Sequence, residues 1–168
     1  MSLTLLRHAP LSEKYHGRYI GHSDLSIDFE LFTSIALPQT YDSIFSSDLI
    51  RCTQTLDALG YSNVITDSRL REVHFKERFE GKNFEEIERM KEYSPQFLES
   101  RERWHTFICE ESIENFRGRI ESFLEELPRD QNILICSHAG TIYEMLLLFN
   151  SMPKRVDYLE YTIVGQNR

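Results

Sequence analysis

The sequence predicts a layered α/β fold around a mainly parallel sheet, and three observations predict it. Apolar, strand-like runs alternate along the chain with helical stretches, the pattern of strands joined by helical crossovers. Two of those runs, 3–6 and 132–136, are mostly apolar, as in strands buried on both faces. Each then stops at a histidine, in Arg7-His8-Ala9 and in Ser137-His138-Ala139-Gly140. Parallel, adjacent strands would bring both histidines to the carboxyl edge of one sheet, where open α/β folds place their ligands.

The elements follow in order. Strand 3–6 is followed by Pro10 and a long loop, 11–26, in which Tyr15, His16, Gly17, Arg18, Tyr19, Gly21, His22 and Asp24 are interleaved; a loop of that length with aromatics is expected to be ordered and functional. A short helix is expected over 28–37, capped by Ser26 or Asp28 and stopped by Pro38. A second strand, 43–46, leads into a helix capped by Ser47 or Asp48 and ending near Gly60, which puts Arg51 in its first turn. A cation there opposes the helix dipole unless it shares an anion with the helix start. A short strand, 64–66, precedes Leu70-Arg71-Glu72. The stretch 74–112 reads as a helical excursion over the functional edge, with a helical run at 83–93 and an aromatic group of Phe97, Trp104 and Phe107 that is either core or substrate wall. Phe116, Ile120, Phe123, Leu124 and Leu127 recur at three- and four-residue steps, an amphipathic helix over 113–127. After the strand carrying Cys136, a helix is expected over 141–149 and an alternating edge strand over 158–164.

The 168 residues fit one domain, 1–168, with no repeat or linker. With 19 Lys+Arg against 27 Asp+Glu, a net charge of −8 argues against nucleic-acid or anionic-membrane partners. Three irregularly spaced cysteines, Cys52, Cys109 and Cys136, fit reduced thiols in the cytoplasm. No signal-like leader or run long enough to span a bilayer is evident. Oligomeric state is not legible.

Arg7, His8, Arg51, Glu72 and His138 each fall at or just past a strand end or in the following helix. Together they suit phosphoryl transfer: two guanidiniums grip a dianion, and a neutral imidazole attacks phosphorus. Arg7, Arg51 and a cationic His138 would hold His8 neutral, while Glu72 would protonate the leaving alkoxide and then activate water. Neither a metal nor a cofactor is required, and the six histidines show no ligand spacing. Each histidine also has a plainer reading as a packing or surface residue; only the repeated strand-end placement lifts His8 and His138 above it.

Several stretches resemble the histidine phosphatase (phosphoglycerate mutase-like) superfamily. They are Leu6-Arg7-His8-Ala9, Gly17-Arg18-Tyr19-Ile20-Gly21-His22-Ser23-Asp24, Ser47-Asp48-Leu49-Ile50-Arg51-Cys52-Thr53-Gln54-Thr55, Leu70-Arg71-Glu72 with Phe79-Glu80-Gly81, and Ser137-His138-Ala139-Gly140. The resemblance implies a three-layer α/β/α sandwich with His8 as nucleophile, Glu72 as proton donor, and Arg7, Arg51 and His138 on a small-molecule phosphate monoester. It is nearest to the alpha-ribazole phosphatase branch; a phosphoglycerate-type mutase and a non-catalytic phosphate-binding scaffold are the alternatives. Ala9 stands where the family has glycine, and the block Phe75 to Gly81 has an extra residue and no tryptophan, which leaves Glu77 as a competitor for the acid role. His16 and His22 face the expected site but read as exposed loop residues, His74 and His105 as structural or surface ones.

Overall fold

Residue by residue, β1 (Ser2–Arg7) lies parallel to β4 (Ile133–Ser137), from Leu3 opposite Ile133 to Arg7 opposite Ser137. This ladder is the centre of the computed structural model, which describes residues 2–165. Beyond β4 lie β2 (Ser43–Ser46) and β3 (Ile65–Thr66), both parallel; beyond β1 lies β5 (Tyr161–Gly165), antiparallel and at the edge. The sheet order is β3-β2-β4-β1-β5. Both central strands are covered on two sides, which explains their nearly unbroken apolar sequence.

Successive side chains point to opposite faces, so each strand feeds two cores. Leu3, Leu5, Ile133 and Ile135 pack on the side of α4 (Ile113–Glu125) and α5 (Ala139–Leu148), against Phe116, Ile120, Phe123, Ile142 and Met145. Leu6, Leu134 and Cys136 meet Cys52 and Leu56 of α1 (Ile50–Ala58), with Ile35, Leu37 and Tyr41 beside them. Burying a leucine or isoleucine side chain fully contributes about 1.5–3 kcal/mol, so these few positions dominate the fold. The result is the expected three-layer α/β/α sandwich around a mostly parallel sheet.

Three local expectations are revised. No helix forms over 28–37: Asp28 closes a turn instead, its Oδ1 accepting from the amides of Glu30 and Leu31 at 3.0 and 3.3 Å. An aspartate that satisfies the amides two and three residues on offers the backbone an alternative to the helix. The helix after β2 starts at Ile50 with no cap from its own N-terminal side chains. Asp48 is committed to Arg71 at 2.6 and 2.7 Å, and the Ile50 amide donates at 2.7 Å to Asp24 from the distant loop. The run at 83–93 shortens to α2 (Phe84–Glu88), begun by a capping box between Asn83 and Glu86 but burying only Ile87; one anchor sustains little more than a turn.

Within the excursion a further helix, α3 (Arg101–Ile108), starts at Ser100, whose hydroxyl accepts from the Arg103 amide at 3.1 Å. It is tied to the sandwich by charge. Glu144 of α5 is completely buried, and its carboxylate accepts from Arg101 of α3 and, at 2.6 Å, from Arg117 of α4. Phe97 stacks on Phe107 with ring centroids 4.1 Å apart, and Phe107 belongs to the core.

Candidate active site

The ladder between β1 and β4 continues for one more step. His8 N donates to the Ser137 carbonyl at 3.1 Å, so His8 and His138 leave the sheet side by side, ring centroids 5.3 Å apart. Both are buried.

Of the two His8 ring nitrogens, one is held and the other has no hydrogen bond among the described residues. Its Nδ1 lies 2.8 Å from the Ala9 carbonyl; a carbonyl only accepts, so Nδ1 carries the proton and Nε2 keeps a lone pair. Burial, then the Arg51 and Arg7 guanidiniums, hold the imidazole well below its ordinary pKa range, so the ring is neutral. Thr55 fixes this turn from α1: its Oγ1 accepts from the Ala9 amide at 2.8 Å and donates to the Arg51 carbonyl at 2.6 Å.

The His138 ring is committed on both sides. Nδ1 accepts from Arg51 Nε at 3.2 Å, because a guanidinium only donates, so Nε2–H donates to Ser47 Oγ at 2.9 Å. Burial, then Arg51 and His8, hold this imidazole well below its ordinary range too. The sequence-based expectation of a cationic His138 is therefore revised: two imidazoles so close, both beside arginines and out of water, are neutral.

Arg51 is fully buried in the first turn of α1. Its terminal nitrogens donate to the carbonyls of Ser23 and Gly21 at 2.8 and 2.7 Å. Those carbonyls belong to a loop that Glu80 holds in place, accepting from the Gly21 amide at 2.9 Å and the Ser23 amide at 3.2 Å. A Cβ on Gly21 would lie 2.5 Å from the Val73 carbonyl, so only glycine fits. Arg7 donates from Nη1 to the Val156 carbonyl at 2.9 Å and lies over the Tyr158 ring at 3.9 Å. Its Nε is buried without a partner among the described residues, an unusual state for a charged group's N–H and one that suits an anion.

Glu72 follows the turn at Ser68–Leu70 and lays its carboxylate against the first turn of α5. Its Oε2 accepts from the Gly140 amide at 2.9 Å and its Oε1 from the Val73 amide at 3.0 Å. Arg119 holds the same residue by its backbone, donating to the Glu72 carbonyl at 3.0 Å.

These groups border a cavity of about 350 Å³. Arg7, His8 and Glu72 line it, together with Tyr19, Tyr143 and Tyr158. Arg51 and His138 are outside its lining, in the buried layer with His8. Glu77 is exposed and not part of the wall. His16 bonds the Leu11 carbonyl and packs on Tyr158, while His22 bonds the Glu72 carbonyl and stacks on His74; neither lines the cavity. His105 bonds the Glu111 carbonyl within the protein. Trp104 packs behind the wall on Tyr19.

Sequence reasoning gave no role to Thr55, Glu80, Tyr158 or Arg119. Thr55 and Glu80 stand within recognised stretches, but their work is hydrogen bonding to backbone 46 and 57–59 residues away, which no local pattern reveals.

A mostly parallel sheet brings two neutral histidines and Arg7 to one edge of an α/β sandwich, where Arg51 of α1 and the Glu72 carboxylate meet them. The chain belongs to the histidine phosphatase superfamily (branch 1), whose family model matches residues 3–160. It is 32% identical over 163 residues to a Hydrogenobacter thermophilus protein named "Putative phosphoserine phosphatase 2", covering 89% of this chain and 79% of that one. A crystal structure of a phosphoglycerate mutase from Thermus thermophilus superposes with a TM-score of 0.76 at 26% identity, covering all of this chain and 95% of that one. The alpha-ribazole phosphatase from Shigella flexneri gives 0.73 at 21% identity, over 97% and 89%, a likeness of fold alone. Among the described residues, no helix is long and apolar enough to cross a membrane.

Proposed function

We propose that the chain is a phosphomonoester hydrolase working through a phosphohistidine on His8. The observation that carries this reading is the state of the His8 ring: neutral, with Nδ1–H on the Ala9 carbonyl and the Nε2 lone pair available beside Arg7 and the cavity. Arg7 takes the dianion on its unpartnered Nε. Arg51 and His138 complete the grip, Arg51 exchanging the carbonyls of Gly21 and Ser23, and the His138 Nε2–H exchanging Ser47 Oγ, for phosphoryl oxygens. Nε2 attacks phosphorus as the ester oxygen departs, and that oxygen takes a proton from Glu72, which enters the cycle as the carboxylic acid. The Ala9 carbonyl then faces an N–H of a positively charged ring, which strengthens the bond that orients it. Glu72 next takes a proton from water, whose oxygen attacks the phosphohistidine and releases inorganic phosphate with His8 restored. Neither a metal nor a cofactor enters this cycle.

The cavity volume suits a small-molecule ester. Its substrate assignment is open between a phosphorylated amino or hydroxy acid, in line with the name of the 32%-identical relative, and the alpha-ribazole branch. A mutase reading has one support, the name of the Thermus structure at 26% identity; a mutase would return the phosphoryl group to an organic acceptor instead of water.

The test is a rapid acid or base quench with a radiolabelled phosphomonoester. Acid-labile, base-stable label on the wild type, absent from His8→Ala, is expected, together with release of inorganic phosphate. Turnover retained by a folded His8→Ala protein would overturn the assignment.

A further inference from the structure

In this acidic chain most arginines meet carboxylates. Arg18 is paired with Glu86, Arg69 with Asp67 and Glu126, Arg71 with Asp48, Arg101 and Arg117 with Glu144, and Arg119 with Glu111. The cavity wall carries three arginines. One is Arg7, directed at the phosphate. A second, Arg18, is spent on Glu86 and on the carbonyls of Lys14 and Gly81.

The third is Arg155, exposed, with no carboxylate partner among the described residues. Two acids follow it closely in sequence. Glu160 is already engaged, neutralising Lys154 at 2.5 Å. Asp157 is exposed and is not on the wall, although its charge, like that of Arg155, reaches Arg7. Arg155 is close enough to act electrostatically on Arg7 and on Tyr19, which places its charge over the same space. The carboxylate that does line the wall, Glu72, is held by the amides of Val73 and Gly140.

We propose that Arg155 is a specificity residue that binds a second anionic group, a carboxylate or a second phosphate, on the alcohol portion of the substrate. This rests on the phosphomonoesterase reading and narrows it. Two like charges on one wall repel each other, and an ester bearing anions at both ends relieves both. A guanidinium suits either anion because its planar fork binds a carboxylate or a phosphate by two parallel hydrogen bonds. An ester whose alcohol portion is neutral leaves Arg155 in water, at no gain.

Binding is measured by titration calorimetry in the His8→Ala background, so that no ligand is consumed. The probes are inorganic phosphate, glycerol 3-phosphate, 3-phosphoglycerate and propane-1,3-diol bisphosphate. Glycerol 3-phosphate and 3-phosphoglycerate differ only in a hydroxymethyl group against a carboxylate. Binding of 3-phosphoglycerate or of the bisphosphate at least tenfold tighter than of glycerol 3-phosphate is expected, and which of the two it is separates the carboxylate from the second phosphate. Adding Arg155→Ala should erase that preference while leaving inorganic phosphate within about twofold, and Arg155→Lys should restore part of it.

Phosphate bound with no preference among the three esters, or Arg155→Ala weakening all four probes alike, would overturn the role of Arg155 and leave the hydrolase intact. Failure of inorganic phosphate itself to bind would remove the phosphate site, and Arg155's role with it. In otherwise wild-type enzyme, Arg155→Ala should raise KM for the preferred ester more than it lowers kcat.

Discussion

A Cβ placed on Gly140 would lie 2.4 Å from Oε1 of Glu72. The carboxylate occupies the space that any other residue at position 140 would fill, and the Gly140 amide is one of the two donors that hold it. The glycine is thus required by a side chain 68 residues earlier, not by its own backbone.

Gly140→Ala should therefore separate stability from activity. Alanine is favoured over glycine inside a helix by about 1 kcal/mol, and position 140 is in the first turn of α5. That gain is offset by the two amides that lose their acceptor when Glu72 is displaced, so the thermal midpoint should be unchanged or modestly lowered, while the displaced Glu72 costs on the order of 10²-fold in kcat. A variant with full kcat would show that Glu72 works from another position.

Thr55→Val tests the support of His8 from α1. The shape is kept, but the buried Ala9 amide loses its acceptor, which costs about 1–3 kcal/mol; denaturant titration measures it. Because Ala9 also supplies the carbonyl that orients His8, kcat should fall more than KM changes, and Thr55→Ser should restore both. Loss of stability with unchanged kcat would make Thr55 purely structural.

Acid should act on both activity and stability. His8 and His138 titrate well below the ordinary imidazole value in the folded protein, while in the unfolded chain they take up protons near pH 6.5. Between those values the unfolded state binds more protons, so stability is complete above about pH 6.5 and is lost progressively as pH falls toward the folded values. The unfolding midpoint should drop on acidification below about pH 6.5, and less so in His138→Asn. The acidic limb of kcat/KM, set by His8 in the free enzyme, should lie clearly below the usual imidazole range. A limb at or above pH 6.5 would mean that His8 is not shielded.

The strand ends were legible because burial on two faces leaves an apolar run in the sequence, and the polar residues that end it stand out. Arg51 was legible for a similar reason, as a cation at the wrong end of a helix. The neutrality of His138 was not, since it depends on Ser47 and Arg51 meeting the two sides of one ring. Nor was the turn at Asp28, where a capping side chain can start a helix or replace one. Asp24 as the acceptor for the first amide of α1 was equally hidden: capping rules describe neighbours, and this partner lies 26 residues away.

The pairing of β1 with β4 acts as a fixed ruler for the two rings. Adjacent strands are spaced about 4.8 Å apart whatever their side chains, so the distance between His8 and His138 is inherited from the backbone and cannot be tuned by substitution nearby. A descendant of this protein that takes up a different ester would keep that gauge and change Tyr19 and its outlying arginine, which hang from loops outside the sheet.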